Sequence, residues 1–128
     1  MFINFTNHPS GRWSGEQYNA AARVHGKIVD LPFPNVPTEA DPGRISEMAE
    51  ENIARMESLF RNLDDGMPAA VLCQGEFTLA YAVIHRLLRK GITVVSAVSD
   101  RNVREIQVGD ETRKEVVFRF VGFREYRE

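Results

Sequence analysis

Between Asp64-Asp65-Gly66 and Gln74-Gly75-Glu76 lies an unbroken apolar run, Ala69-Ala70-Val71-Leu72-Cys73. A strand with one wet face alternates apolar and polar residues, whereas a run without alternation needs cover on both faces. The run therefore predicts a buried strand at the centre of a sheet.

The segments around it supply that cover. Upstream, Ile45, Met48, Ala49, Ile53, Met56 and Leu59 recur at spacings of three and four, continuing through Phe60 to Leu63, and describe the buried stripe of one helix. The methionines belong to that stripe. Downstream, Phe77, Tyr81, Ile84, Leu87 and Leu88 mark a further helix that Gly91 ends.

Toward the N-terminus, Phe2 to Phe5 reads as a short strand, Thr6 to Gly11 as a turn, and Ser14 to His25 as a helix whose capping box is Ser14 with Gln17. Lys27 to Leu31 makes a second strand and Ile92 to Ala97 a fourth. Val103 to Val108 and Glu115 to Phe123 alternate and meet at Gly109-Asp110.

Strands alternating with helices imply right-handed crossovers. The predicted class is α/β and Rossmann-like: a parallel sheet of about four strands with helices on both faces, plus a C-terminal antiparallel β-hairpin, in a single domain over residues 1–128. The loop 32–42, punctuated by Pro32, Pro34, Pro37 and Pro42, reads as a stiff surface connection, with a lid or partner surface as the alternative.

Charge and composition narrow the chemistry. A chain of 128 residues can bury a core without disulfides or metal, and the single cysteine, Cys73, excludes an intrachain disulfide. Its apolar setting reads as a small core residue. The net charge of −2 argues against a long nucleic-acid partner, though backbone N–H groups and a few arginines can still hold a small anion. No stretch reaches the ~18 apolar residues of a membrane span, and no leader pattern opens the chain, so a cytoplasmic location is expected. The sequence carries no HExxH, no cysteine pair and no GxSxG. Neither metal nor cofactor is expected.

In open α/β sheets ligands bind beyond the carboxyl ends of the strands. The loops expected there hold Thr6, Asn7 and His8 after the first strand, Gln74, Gly75, Glu76, Phe77 and Thr78 after the third, and Ser96, Ser99, Asp100 and Arg101 after the fourth. Gly75 would let an anion approach the first-turn N–H groups of the following helix. Glu76 either caps that helix or bonds a ribose hydroxyl or base amine. His8 is a general acid or base, a phosphate donor, or simply a turn residue before proline. Arg101 offers a fork for phosphate oxygens or a solvated ion pair.

The opening strand with its polar Thr/Asn loop, Ile3-Asn4-Phe5-Thr6-Asn7-His8, and the central strand followed by Gln74-Gly75-Glu76-Phe77-Thr78 give a layout that resembles the small stand-alone CRISPR-associated Rossmann-fold (CARF) proteins. That group includes ring nucleases and cyclic-oligoadenylate sponges. The resemblance covers most of the chain and implies a homodimer binding a cyclic oligoadenylate, such as the tetramer, across its two-fold axis. It implies that the ring is sequestered or cleaved without metal, in regulation of type III CRISPR signalling.

On that reading phosphate contacts fall to His8, Arg101 and backbone N–H groups, and adenine contacts to Asn7, Gln74 or Glu76. No lysine lies on these loops, which departs from the basic pattern of a cleaving site. Two other classes remain: a small enzyme acting on a nucleoside or glycosidic bond with Glu76 as nucleophile or general acid, and a non-catalytic protein-interaction module.

Overall fold

The computed structural model describes residues 1–128. The elements are β1 (Phe2–Phe5), a 3-10 turn at Ser10–Arg12, α1 (Gly15–His25), β2 (Ile28–Asp30), α2 (Pro42–Asn62), β3 (Ala70–Cys73), α3 (Phe77–Arg89), β4 (Thr93–Val108) and β5 (Glu111–Glu125). The protein is an α/β chain with one mixed sheet of five strands in the order β2-β1-β3-β4-β5. The first four run parallel, and β5 pairs antiparallel with β4.

β3, the unbroken apolar run, is the middle strand. Its residues alternate between two separate clusters. Val71 and Cys73 join Ile3, Phe5 and Val94 under α2 and α3. Ala70 and Leu72 join Phe2, Trp13, Ala21 and Val95 on the α1 side. Removing each such leucine, isoleucine or phenylalanine side chain from water contributes about 1.5–3 kcal/mol, so both clusters hold the strand ends in place.

Local signals set most boundaries. Ser14 Oγ accepts from Gln17 N at 3.2 Å, the N-cap expected for α1. α2 begins earlier than the apolar stripe indicates, because Asp41 caps it through Arg44 N and Pro42 occupies the first turn, where its missing N–H costs nothing. Apolar periodicity cannot register that polar opening turn.

One expectation is corrected. Ser96, Ser99, Asp100 and Arg101 do not form a loop after a fourth strand; they lie within β4, which runs on to Val108 as one side of the hairpin. A register shift between Val98 and Ser99 bends it, and Ser99, Asp100 and Arg101 pair with Phe120, Arg119 and Phe118. The strand persists because β5 runs beside it from Val95 to Val108, a non-local effect that local polarity hides. The turn at Gly109, with φ of +63, fits a two-residue hairpin connection.

The proline-punctuated segment is no detached lid. Phe33 is buried against Phe5, with ring centroids 4.8 Å apart, and Leu31 N donates to Asn4 O.

Candidate functional site at the sheet rim

Consecutive strands leave β1 in opposite directions, to β2 on one side and β3 on the other, so the chain changes direction between the carboxyl ends of β1 and β3. Such a switch point opens a crevice between the following loops. A cleft of about 660 Å³ opens there.

The floor of the cleft is organised by Asn4, a polar residue only 1% exposed in the middle of β1. A buried amide needs partners. Asn4 Nδ2 donates to His8 O and to Asp30 Oδ1, both at 2.9 Å. Thr6 Oγ1 donates to Asn4 Oδ1 at 2.8 Å and accepts from His8 N at 3.0 Å. Trp13 Nε1 also donates to His8 O, at 3.0 Å. The main chain of His8 is thereby fixed on three sides, while its side chain stands at the cleft.

Thr6, Asn7 and His8 line one wall, with Gln74 and Gly75 beside them. Gln74 Oε1 accepts from Ala97 N at 3.3 Å, which ties the β3 loop to β4. Ser99 joins the lining from within β4. Residues that sequence reasoning did not assign to the site complete it: Ser14 and Gln17 from the start of α1, and Phe118 and Phe120 from β5. Trp13 is both buried and part of the lining. The alternation of Phe118 and Phe120 on one strand face was the available signal; a buried asparagine inside an apolar strand was another.

No lysine, arginine, aspartate or glutamate lines the cleft, and His8 is its only histidine. Amide groups, hydroxyls and aromatic faces dominate. Such a surface hydrogen-bonds and stacks a planar, largely neutral group.

The remaining expected site residues lie elsewhere. Glu76 turns back on its own helix, accepting from Thr78 Oγ1 at 2.7 Å, Leu79 N at 2.9 Å and Thr78 N at 3.0 Å. The Thr78 hydroxyl and then the Leu79 and Thr78 N–H groups hold its carboxyl below the usual glutamate range. The first-turn N–H groups expected to meet an anion are thus occupied by the protein's own carboxylate.

Gly75 is not an opening for a ligand on the core side, because the Phe33 ring fills the space a side chain would take. Phe77 and Thr78 border a separate hollow with Tyr81 and Arg86. Arg101 is outside the lining, opposite Phe118 on the same strand face. No group of three or more His, Cys, Asp or Glu side chains is placed to hold a metal ion.

The model of the Uncharacterized protein MJ1673 family matches residues 1–124. The chain belongs to that family. No curated protein and no solved structure matches it. Every residue that lines the cleft falls within the part shared with the MJ1673 family. No helix of this MJ1673-family chain is long and apolar enough to cross a membrane.

Proposed function

We propose that this protein is a Rossmann-like domain of the CARF type that binds a cyclic oligoadenylate, the tetramer, at the rim cleft, as a homodimer that regulates type III CRISPR signalling. The observation that carries the reading is the chemistry of the cleft: amides from Asn7, Gln17 and Gln74 beside the aromatic faces of Trp13, Phe118 and Phe120. Amides match the donor and acceptor edge of adenine, and base stacking on an aromatic side chain contributes about 1–3 kcal/mol. Ring phosphates fall to the N-terminal turn of α1, which borders the cleft through Ser14, to His8, and to Arg101 beyond the Phe118 wall.

Sequestration is favoured over cleavage. A metal-independent transfer needs a group to orient or deprotonate the ribose 2′-hydroxyl and a cation to hold the developing phosphate charge. Within the lining only His8 serves the first role, and none of the lining residues carries a fixed positive charge for the second.

The nucleoside or glycosidic reading needs Glu76 in a pocket with its carboxyl raised. Its cap geometry and lowered carboxyl speak against that. An interaction module keeps one supporting observation: a second, apolar hollow of about 750 Å³ lined by Tyr81, Ile84, Leu88 and Tyr126, with Phe77 89% exposed at its edge.

The test is metal-free incubation with labelled cyclic tetra-adenylate, followed by native and denaturing gels. A shifted, intact ring is expected. Linear products assign cleavage to the cleft, and a ring that neither shifts nor breaks rejects the ligand.

A further inference from the structure

Two hydrogen bonds that fix the His8 main chain trace back to a residue outside the cleft. His8 O accepts from Asn4 Nδ2 at 2.9 Å and from Trp13 Nε1 at 3.0 Å. The same Asn4 Nδ2 donates to Asp30 Oδ1 at 2.9 Å. On the other branch, Trp13 N donates to Ser10 O at 3.2 Å, and Ser10 N donates to Asp30, at 3.2 Å to Oδ1 and 3.3 Å to Oδ2. Asp30, at the carboxyl end of β2, thus closes a circuit through Asn4, His8, Trp13 and Ser10. It is absent from the cleft lining, to which His8 and Trp13 both belong.

Asp30 differs in kind from the other members of the circuit, because a carboxylate only accepts. It turns Nδ2 of the buried Asn4 toward β2 and leaves Oδ1 to face Thr6. The Thr6 hydroxyl donates to that oxygen at 2.8 Å and accepts from His8 N at 3.0 Å. One acceptor on β2 therefore sets the direction of the bonds that reach both the N–H and the carbonyl of His8. Capping the 3-10 turn accounts for the bond from Ser10 but not for the one from Asn4, which arrives from β1.

We propose that Asp30 is the positioning residue of the cleft: without touching a ligand, it places the His8 main chain and the Trp13 ring. Its consequence for affinity rests on the reading of the cleft as a cyclic-oligoadenylate site; its effect on His8 and Trp13 does not.

The test uses the full chain labelled with nitrogen-15, whose single tryptophan gives one indole N–H signal. That N–H is the group donated to His8 O. In Asp30→Ala the signal is expected to move and its exchange with solvent to quicken on the order of tenfold, the scale on which losing a hydrogen bond to a charged group changes an opening equilibrium. Affinity for cyclic tetra-adenylate is expected to fall about tenfold with it, because only chains with the loop in place bind.

Asp30→Asn still offers one acceptor where Oδ1 takes both bonds, and is expected to keep the wild-type signal and most of the affinity. Ser10→Pro removes only the N–H of the turn and suits the extended backbone of Pro9, with ψ of 141. It is expected to move the indole signal in the same direction, and decides the matter if Asp30→Ala does not fold. Asp65→Asn, at the opposite end of β1 and β2, lowers stability without touching the circuit and is expected to leave the signal in place.

An indole signal unchanged in Asp30→Ala overturns the assignment. So does a shift that Asp65→Asn reproduces, or an affinity that Asp30→Ala leaves intact. If the wild type binds no cyclic tetra-adenylate, the ligand reading fails, and the indole signal alone decides whether Asp30 positions the two residues.

Discussion

The ring of Phe33 occupies the volume in which a side chain at residue 75 would stand: a Cβ there would lie 2.5 Å from Phe33 Cε2 and 2.6 Å from both Cδ atoms. Phe33 is itself buried against Phe5, so the ring has little room to retreat. The glycine after β3 is thus required by packing from a loop some forty positions away in sequence.

Gly75→Ala is therefore expected to destabilise the fold by about 1–3 kcal/mol, the usual range for overpacking. Phe33→Ala is expected to cost about 3–5 kcal/mol through the cavity it leaves. Because both changes act on one contact, the double variant should fall short of their sum by at least about 0.5 kcal/mol. Urea unfolding of the four proteins measures this, and strict additivity would reject the contact.

Stability is expected to fall toward acid pH through two carboxylates. Glu76 is held low by Thr78 and Leu79, and Asp65 far lower by the N–H groups of Lys27 and then Met67, with the terminal ammonium adding to them. A carboxyl with a lowered folded value stabilises the fold above its unfolded value, near 4 for both residue types. That contribution is lost as pH falls through the folded value. Thermal melts from pH 7 to 2 should show Glu76→Gln and Asp65→Asn less stable than wild type at pH 7, with the gap closing as pH drops. A gap independent of pH would contradict the assignment.

Cys73 is buried and its thiol is pushed up to about 12 by burial. The thiolate is the reactive form. At pH 8 a thiol reagent is expected to label the native protein only at the rate of unfolding, and to react at once in denaturant. Rapid native labelling would show that β3 is open to solvent.

In the cleft, Asn7→Ala and His8→Ala should separate binding from any turnover. Loss of one hydrogen bond to a base is expected to weaken cyclic tetra-adenylate binding by about 2- to 13-fold for Asn7→Ala. If the ring is cleaved, His8→Ala should suppress cleavage by about 10²- to 10⁴-fold while retaining binding. Quenching of Trp13 fluorescence on titration measures the first and denaturing gels the second. Unchanged affinity in Asn7→Ala would remove that amide from the site.

Most helices and short strands were legible because their signals are local. The apolar run at 69–73 read as a central strand since cover on both faces leaves no alternation. Ser14 and Gln17 read as a cap since the bond spans three residues. The loop residues Thr6, Asn7, His8 and Gln74 followed from the rule that crevices form beyond strand carboxyl ends.

What the amino-acid order alone determined, then, is the succession of elements and the end of the sheet where a cleft forms, because caps, turns and burial periodicity act over a few residues. Tertiary structure decided the rest. Whether Ser99 and Arg101 sit in a loop or a strand depends on β5, far along the chain, offering its edge. Whether Gly75 faces a ligand or a ring depends on where Phe33 packs. Phe118 and Phe120 reach the cleft only because β5 returns antiparallel along β4 as the edge strand of the sheet. Each is a long-range pairing, fixed by packing and hydrogen-bond completion between segments that local sequence cannot bring together.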